Sequence, residues 1–260
     1  MNEEKLAALG LDAGSTTCKI VGVNQSGGMI WHLLEPADPR VEDQVAHMLE
    51  EAKKRFGSLE GIPLVATGYG RKLVKNATRN LTEITCHARG VYHELQKPGT
   101  LVDIGGQDSK VIIIGKEGRV IDFVMNDKCA AGTGRFLENT AGRLRVPLEV
   151  LGSTALSVNQ EERISSTCTV FAESEIISML AHGVAVEPIL RGLHRSLITR
   201  IVAMIRSVGL VPPLMLSGGV ARNKAMRKML EEETGEKVHL PSYPQLMGAY
   251  GAALIGLEKK

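Results

Sequence analysis

Two cysteines stand in surroundings that could do chemistry. Cys129 lies in NDKCAAGTGRFLE (126–138), directly before a run of small residues, Ala130, Ala131, Gly132, Thr133 and Gly134. Cys168 lies in SSTCTVFAESE. Each stretch reads as the approach to a helix. At a helix start, unpaired backbone N–H groups and the positive end of the dipole favour thiolate, the form that binds metal. Two thiolates fill neither a tetrahedral zinc site nor a four-iron cluster. A two-fold dimer that brings Cys129 and Cys168 of each copy to its axis supplies four. That arithmetic permits a cluster and does not demand one. On composition alone, two unrelated buried cysteines are the simpler reading.

A second pattern suits phosphate. Asp12-Ala-Gly14-Ser15-Thr16-Thr17-Cys-Lys19 aligns without gaps on Asp103-Ile-Gly105-Gly106-Gln107-Asp108-Ser-Lys110, and each copy runs on into a strand-like stretch. Glycine lets backbone N–H groups approach phosphate oxygens closely. Ser15, Thr16 and Thr17 add hydroxyl donors and Lys19 a charge. Asp12 and Asp103 are oxygen ligands suited to Mg²⁺. Gln107 is the candidate for orienting an attacking water, with Asp108 as the alternative. A single D-x-G is no more than a tight turn; two matched copies predict two similar lobes clamping a nucleotide.

The elements that must carry these residues alternate between strand and helix. LGLDAG and CKIVGV read as strands around a turn. Val41 to Phe56 places Val41, Val45, Met48, Leu49, Ala52 and Phe56 on one helical face, with Gly57 as the stop. IPLVATG is a buried strand, and TLVDIGGQDSKVIII is strand, turn, strand. A helix is predicted from Pro188 to about Val208, then a strand in PLMLSGG, a helix in VARNKAMRKMLEEET, a short strand in KVHL and a closing helix. After Cys129 a helix starts near Thr133, with Phe136, Leu137, Ala141 and Leu144 on one face. After Cys168, Val170, Phe171, Ser174, Ile177, Leu180 and Ala181 align, and Gly183 ends the helix. The alternation predicts an α/β protein. Its expected division is a first lobe over 1–98, onto which a C-terminal helix at 245–260 packs back, and a second lobe over 99–244.

Composition narrows the class. The 260 residues include 31 basic and 29 acidic side chains, for a net charge of +2. Such balance predicts neither a nucleic acid nor an anionic membrane as main partner. No apolar run approaches the ~20 residues that span a bilayer, and MNEEKLAALG has no signal-peptide pattern. A cytoplasmic setting is therefore expected. The four cysteines, Cys18, Cys86, Cys129 and Cys168, form no C-x-x-C pair. Cys86 reads as a small buried hydrophobe. The seven histidines show no metal-ligand spacing. Glu173 and Glu175 support either a nucleotide or the acidic first turn of a helix. Thr67 to Lys72 is a docking loop or a glycine-rich turn.

The two matched hairpins resemble the phosphate loops of the actin, sugar-kinase and heat-shock-chaperone superfamily. That resemblance implies an actin-like ATPase fold with ATP in the cleft between two lobes. It also implies an adenosine turn in LMLSGGVARN (214–223), through Ser217, Gly218, Gly219 and Asn223. No Walker-type G-x-x-x-x-G-K-[ST] occurs. The wording around the cysteines, MNDKCAAGTGRFLE and ISSTCTVFAESE, resembles a narrower group. With DIGGQDSK, ATGYGR, GLHRS, SGGVARN and GAYGAA, it is similar to the activators of 2-hydroxyacyl-CoA dehydratases and the ATP-binding subunits of benzoyl-CoA reductase. Membership would imply a homodimer with one [4Fe–4S] cluster held by Cys129 and Cys168 of both copies, and ATP/ADP with Mg²⁺ in each. It would imply single electrons taken from reduced ferredoxin or flavodoxin and passed to an iron–sulfur dehydratase or reductase component. Cys18 and Cys86 match no cluster ligand. The competing classes are a small-molecule kinase of the same fold and a nucleotide-gated binding module.

Overall fold

The computed structural model describes residues 5–165 and 168–258. In chain order the strands and helices are β1 (Ala8–Ala13), β2 (Thr17–Val23), β3 (Met29–Pro36), α1 (Val41–Phe56), β4 (Leu64–Thr67), β5 (Arg79–Asn80) and α2 (Glu83–Leu95). They continue with β6 (Gly99–Ile104), β7 (Ser109–Ile114), β8 (Val120–Asn126), α3 (Gly134–Leu144), α4 (Leu151–Leu156), α5 (Thr169–Ala181) and α6 (Val186–Val208). The last four are β9 (Leu214–Ser217), α7 (Lys224–Thr234), β10 (Val238–His239) and α8 (Met247–Gly256). The chain divides into two compact units. One holds residues 5–98, 114–121 and 245–258; the other holds 99–113, 122–165 and 168–244.

The sheet of the first unit has the order β3-β2-β1-β4-β5. β1 and β2 pair antiparallel, as do β2 and β3, while β1, β4 and β5 run parallel. β1 is buried along its whole length, so its side chains are apolar on both faces apart from the terminal Asp12. Leu9, Leu11, Cys18 and Ile20 meet Val45, Met48 and Ala52 of α1. The amphipathic α1 has Glu42 and Asp43 in its first turn and Lys53, Lys54 and Arg55 in its last, as its dipole favours. α8 lies directly on β1: a Cβ at Gly10 would stand 2.0 Å from the Ala249 carbonyl oxygen. α2 and α8 also touch backbone to backbone, since a Cβ at Gly251 would stand 1.8 Å from the Cys86 carbonyl oxygen.

The sheet of the second unit has the order β10-β9-β6-β7-β8, with β6, β9 and β10 parallel. Its core gathers Val102 and Ile104 with Leu193, Leu197 and Ile201 of α6 and Met226 and Met229 of α7. α7 begins where Asn223 Oδ1 accepts from the backbone N–H groups of Ala225 and Met226. It ends at Gly235, with φ +71°. Asn223 has a second task. Its amide Nδ2 lies 2.9 Å from His194 Nε2, and His194 Nδ1 lies 2.6 Å from the Leu190 carbonyl oxygen. His194 is fully buried and donates through Nδ1, so its Nε2 accepts from Asn223 in the neutral ring. Among the described residues no helix is long and apolar enough to cross a membrane.

Burial lowers the pKa of His194, and burial with the nearby Arg89 charge lowers that of His93. In both rings the charged form is disfavoured in the folded chain relative to the unfolded one. Their contribution is complete above the unfolded value near 6.5 and is lost as pH falls toward the folded values. The urea midpoint should fall between pH 7.5 and 5.5. In His194→Gln the fall should be shallower; an unchanged slope would remove His194 from the effect.

Candidate active site

The first hairpin joins β1 and β2, and the strand register places Asp12 directly opposite Lys19. Cross-strand partners of opposite charge meet naturally at that spacing. Lys19 Nζ stands 3.1 Å from Asp12 Oδ2, with both side chains largely buried. Gly14, Ser15 and Thr16 form the turn and Thr17 opens β2; Ser15 is exposed and the other three are half-buried. Three glycines line part of the space around Asp12. A Cβ at Gly68 would stand 2.5 Å from Asp12 Oδ1, one at Gly248 3.0 Å from Oδ2, and one at Gly14 3.7 Å from Oδ1. Any side chain at Gly68 or Gly248 would fill that cradle. A carboxylate held by one ammonium in a cradle of backbone fits a hydrated Mg²⁺, a hard cation that keeps several waters.

Thr67 to Lys72 completes this neighbourhood. Gly68 has φ +90°, which only glycine adopts readily. The Gly70 N–H donates to the Ala13 carbonyl oxygen at 2.8 Å, and Arg71 Nη1 donates to that of Gly68 at 2.9 Å. The loop is thus anchored on the end of β1, while the Tyr69 side chain is 84% exposed.

The second hairpin joins β6 and β7 by a turn in which the Gly105 N–H donates to the Asp108 carbonyl oxygen at 2.9 Å. Its lysine is deeper than Lys19. Lys110 Nζ stands 2.8 Å from Asp108 Oδ2 and 3.5 Å from Asp103 Oδ2, with its side chain 2% exposed. Asp103 also accepts from the buried Ser217 hydroxyl at 2.7 Å. Gln107 is exposed at the tip of the turn and Gly106 is half-buried. Ser217, expected at adenosine, therefore spends its hydroxyl on Asp103. Gly218 has φ +87° and packs so close to β6 that a Cβ would stand 2.3 Å from the Ile104 carbonyl oxygen. Gly219 is exposed beside it. Asn223, also expected at adenosine, caps α7.

The thiols divide into two kinds. Cys18 and Cys86 are buried, and burial pushes both up to about 12. Cys129 and Cys168 are exposed. Cys168 is the N-cap residue of α5, with extended backbone. Cys129 precedes α3, whose N-cap is Thr133, so that helix starts where the sequence predicts. The Cys129 loop is pinned, because Asn126 Nδ2 donates to the carbonyl oxygens of Cys129 at 2.9 Å and Ala131 at 3.2 Å. A cavity of about 160 Å³ opens beside it, lined in part by Asn126, Cys129, Gly132, Arg200 and Met204. Among the described residues no group of three or more His, Cys, Asp or Glu side chains gathers to hold a metal.

α5 buries a different face from the expected one. Ala172 and Ile176 are inside, whereas Val170, Phe171 and Ile177 are 65%, 68% and 48% exposed. The helix is apolar on nearly every side, so spacing alone does not choose its inner face. Glu173 pairs with Arg143, and Glu175 accepts from the backbone N–H and hydroxyl of Ser165.

Comparison with known proteins shows the family. Residues 9–256 match the BadF/BadG/BcrA/BcrD ATPase family. The chain belongs to that family. Over 253 residues it is 39% identical to the 2-hydroxyisocaproyl-CoA dehydratase activator of Clostridioides difficile, covering 96% of this chain and 95% of that one. It is 37% identical to the (R)-2-hydroxyglutaryl-CoA dehydratase activating ATPase of Acidaminococcus fermentans, covering 96% and 97%. The solved structure of the Clostridium difficile activator, with bound ADPNP, superposes with a TM-score of 0.89 at 38% identity, over 96% of this chain and 94% of that one. A ROK-family glucokinase from Streptomyces griseus shares the fold at 13% identity, with a TM-score of 0.59 over 95% and 98% of the two chains. The family member described here therefore has the actin-like ATPase fold.

Several residues that shape these hairpins and loops left little local trace in the sequence. Gly248 reaches Asp12 from the far end of the chain, and no spacing announces it. Lys110 was visible as the repeat of Lys19, but its second carboxylate, Asp108, was not. Asn126 had a signal, a carboxamide three residues before a cysteine, compatible with an Asx-type loop.

The two kinds of thiol should separate in solution. Brief iodoacetamide treatment of the cluster-free native protein should label Cys129 and Cys168 and spare Cys18 and Cys86, with all four reacting in urea. Peptide mass spectrometry reads the result, and native labelling of Cys86 at the rate of Cys129 would contradict the burial described.

Proposed function

We propose that this ATPase-family protein is an ATP-hydrolysing electron-transfer protein. It takes single electrons from reduced ferredoxin or flavodoxin and passes them at low potential to a partner iron–sulfur enzyme, such as a 2-hydroxyacyl-CoA dehydratase or a benzoyl-CoA-reductase-like component. The observation that carries this reading is the pairing, in one chain, of two Asp-Gly-Lys hairpins with just two exposed thiols. A kinase of the same fold needs the first feature and has no use for the second. The likeness to two dehydratase activators over nearly the full chain supports it.

In this reading Gly14, Ser15, Thr16, Thr17, Lys19, Gly105 and Gly106 bind nucleotide phosphate. Asp12 and Asp103 would serve Mg²⁺, directly or through water. The engagement of Asp103 by Lys110 and Ser217 fixes that carboxylate in direction. Gln107, exposed at the turn, orients the water that attacks the terminal phosphate. Ser217, Gly218, Gly219 and Asn223 shape the adenosine end, Ser217 and Asn223 by holding Asp103 and the start of α7. Cys129 and Cys168 supply two of four sulfurs, and a second copy supplies the others. The exposed Val170, Phe171 and Ile177 beside Cys168 give a second copy an apolar face to cover.

When bound, the [4Fe–4S] cluster supplies a one-electron relay, and Mg²⁺ supplies positive charge at the phosphate oxygens. A one-electron couple moves about 59 mV for each tenfold change in equilibrium, so a few hundred millivolts costs on the order of 5–10 kcal/mol. Nucleotide can supply that work only by binding two shapes of the protein unequally.

Three variants separate the parts. Gln107→Ala should lower kcat for ATP hydrolysis on the order of 10²-fold with KM little changed, read by phosphate release. Cys129→Ser and Cys168→Ser should each purify anaerobically without the brown cluster absorbance while still hydrolysing ATP. A full four-iron signal in either cysteine variant would remove that residue as a ligand, and unchanged turnover in Gln107→Ala would remove the glutamine from its role.

A further inference from the structure

The first free amides of a helix are normally met by a side chain at the N-cap or by water. α3 departs from that pattern. Its N-cap residue, Thr133, makes no side-chain cap; its hydroxyl donates instead to the Ala130 carbonyl oxygen at 2.7 Å. The first two amides of α3 find their partners in the second glycine turn. The Gly134 N–H donates to the Gly105 carbonyl oxygen and the Arg135 N–H to that of Gly106, both at 2.8 Å. The turn proposed to meet nucleotide phosphate is therefore also the cap of the helix that follows Cys129.

The connection continues without slack. The Thr133 N–H donates to the Ala130 carbonyl oxygen at 3.1 Å, and Asn126 pins the carbonyls of Cys129 and Ala131. Packing at the junction is as tight as the hydrogen bonding. A Cβ at Gly134 would stand 3.1 Å from the Gly105 carbonyl oxygen, 3.3 Å from Gly106 Cα and 3.3 Å from Val220 Cγ2. Val220 directly follows the Gly218-Gly219 turn. Gly134 is thus in contact both with the phosphate turn and with the residue beside the adenosine turn. Ordinary N–H···O bonds end near about 3.2 Å, so a shift of about half an ångström or more in the Gly105 and Gly106 carbonyls must move the start of α3 or break the cap.

We propose that Gly134 is a positioning residue that couples the nucleotide turn to Cys129. The coupling runs through its own amide, that of Arg135 and the absence of a side chain at position 134. It rests on the functional reading above for what lies at each end, and it adds the physical route between them. The route lies wholly in the second unit and needs no movement elsewhere in the chain.

The test uses Gly134→Ala and Gly134→Val, with Gly142→Ala as control. Gly142 lies on the same helix, where a Cβ meets nothing within 4 Å. In cluster-free protein, a non-hydrolysable ATP analogue with Mg²⁺ should slow amide exchange in the 127–137 segment by about tenfold or more in wild type and Gly142→Ala. In Gly134→Val the change should fall below about twofold although the analogue still binds. In cluster-loaded protein, the nucleotide dependence of iron removal by a chelator should be lost in the same variant. Gly134→Ala, which needs only slight give from its neighbours, should lose the response in smaller measure, and it carries the test where the valine variant does not fold. A wild-type nucleotide response in Gly134→Ala and Gly134→Val overturns the proposal. A wild-type protein that responds in exchange but never holds iron supports this coupling and removes the cluster reading. A wild-type protein that holds the cluster while its 127–137 segment ignores the nucleotide overturns the coupling alone.

Discussion

A carboxylate can be taken out of water only with a partner, and each phosphate-type hairpin is built around that constraint. Asp12 and Asp103 sit at the ends of fully buried strands, where a lone ionised carboxylate would be far too costly. Lys19 and Lys110, one strand across, neutralise them. The pairing sets the strand register, the register sets the length of the turn, and the turn leaves glycine backbone and small hydroxyl or amide groups at the surface. Removing one partner of a buried pair typically costs about 3–5 kcal/mol, whereas a well-packed apolar pair would often be no less stable. These charges are thus better explained by chemistry at the turn than by stability.

The two hairpins are copies that have diverged in depth. Lys19 serves one carboxylate from a partly accessible position. Lys110 serves two, Asp103 and Asp108, from a buried one, and Ser217 adds a third link. The second hairpin is the stiffer of the two, and it is the one that caps α3. The second unit thus has a rigid link between that turn and α3, and an exposed apolar patch beside Cys168.

Much of this was legible from residue order. The βαβ alternation, the Asp-Gly-Lys repeat, the inner face of α1 and the inner face of α3 all follow from local pattern, because each is decided by spacing within one element. What was not legible depends on contacts between distant residues. β3 was missed because its residues, MIWHLLEP, are nearly all half-exposed and lack clean alternation. The inner face of α5 was misjudged because Val170, Phe171, Ala172, Ile176 and Ile177 surround it with apolar groups, and packing alone chose Ala172 and Ile176. Ser217 and Asn223 read as ligand contacts from their motif, yet one binds Asp103 and the other caps α7 and holds His194. The glycine cradle around Asp12 combines positions 14, 68 and 248, which no local pattern joins.

The central claim is that two identical chains share one four-iron cluster through Cys129 and Cys168 while each hydrolyses ATP. Native mass spectrometry of protein purified and reconstituted without oxygen tests it most directly. The account predicts a species with the mass of two chains plus a single [4Fe–4S] unit, falling to bare chains when either cysteine is replaced. A monomer that carries no iron while hydrolysing ATP, or a separate cluster on every chain, would contradict it.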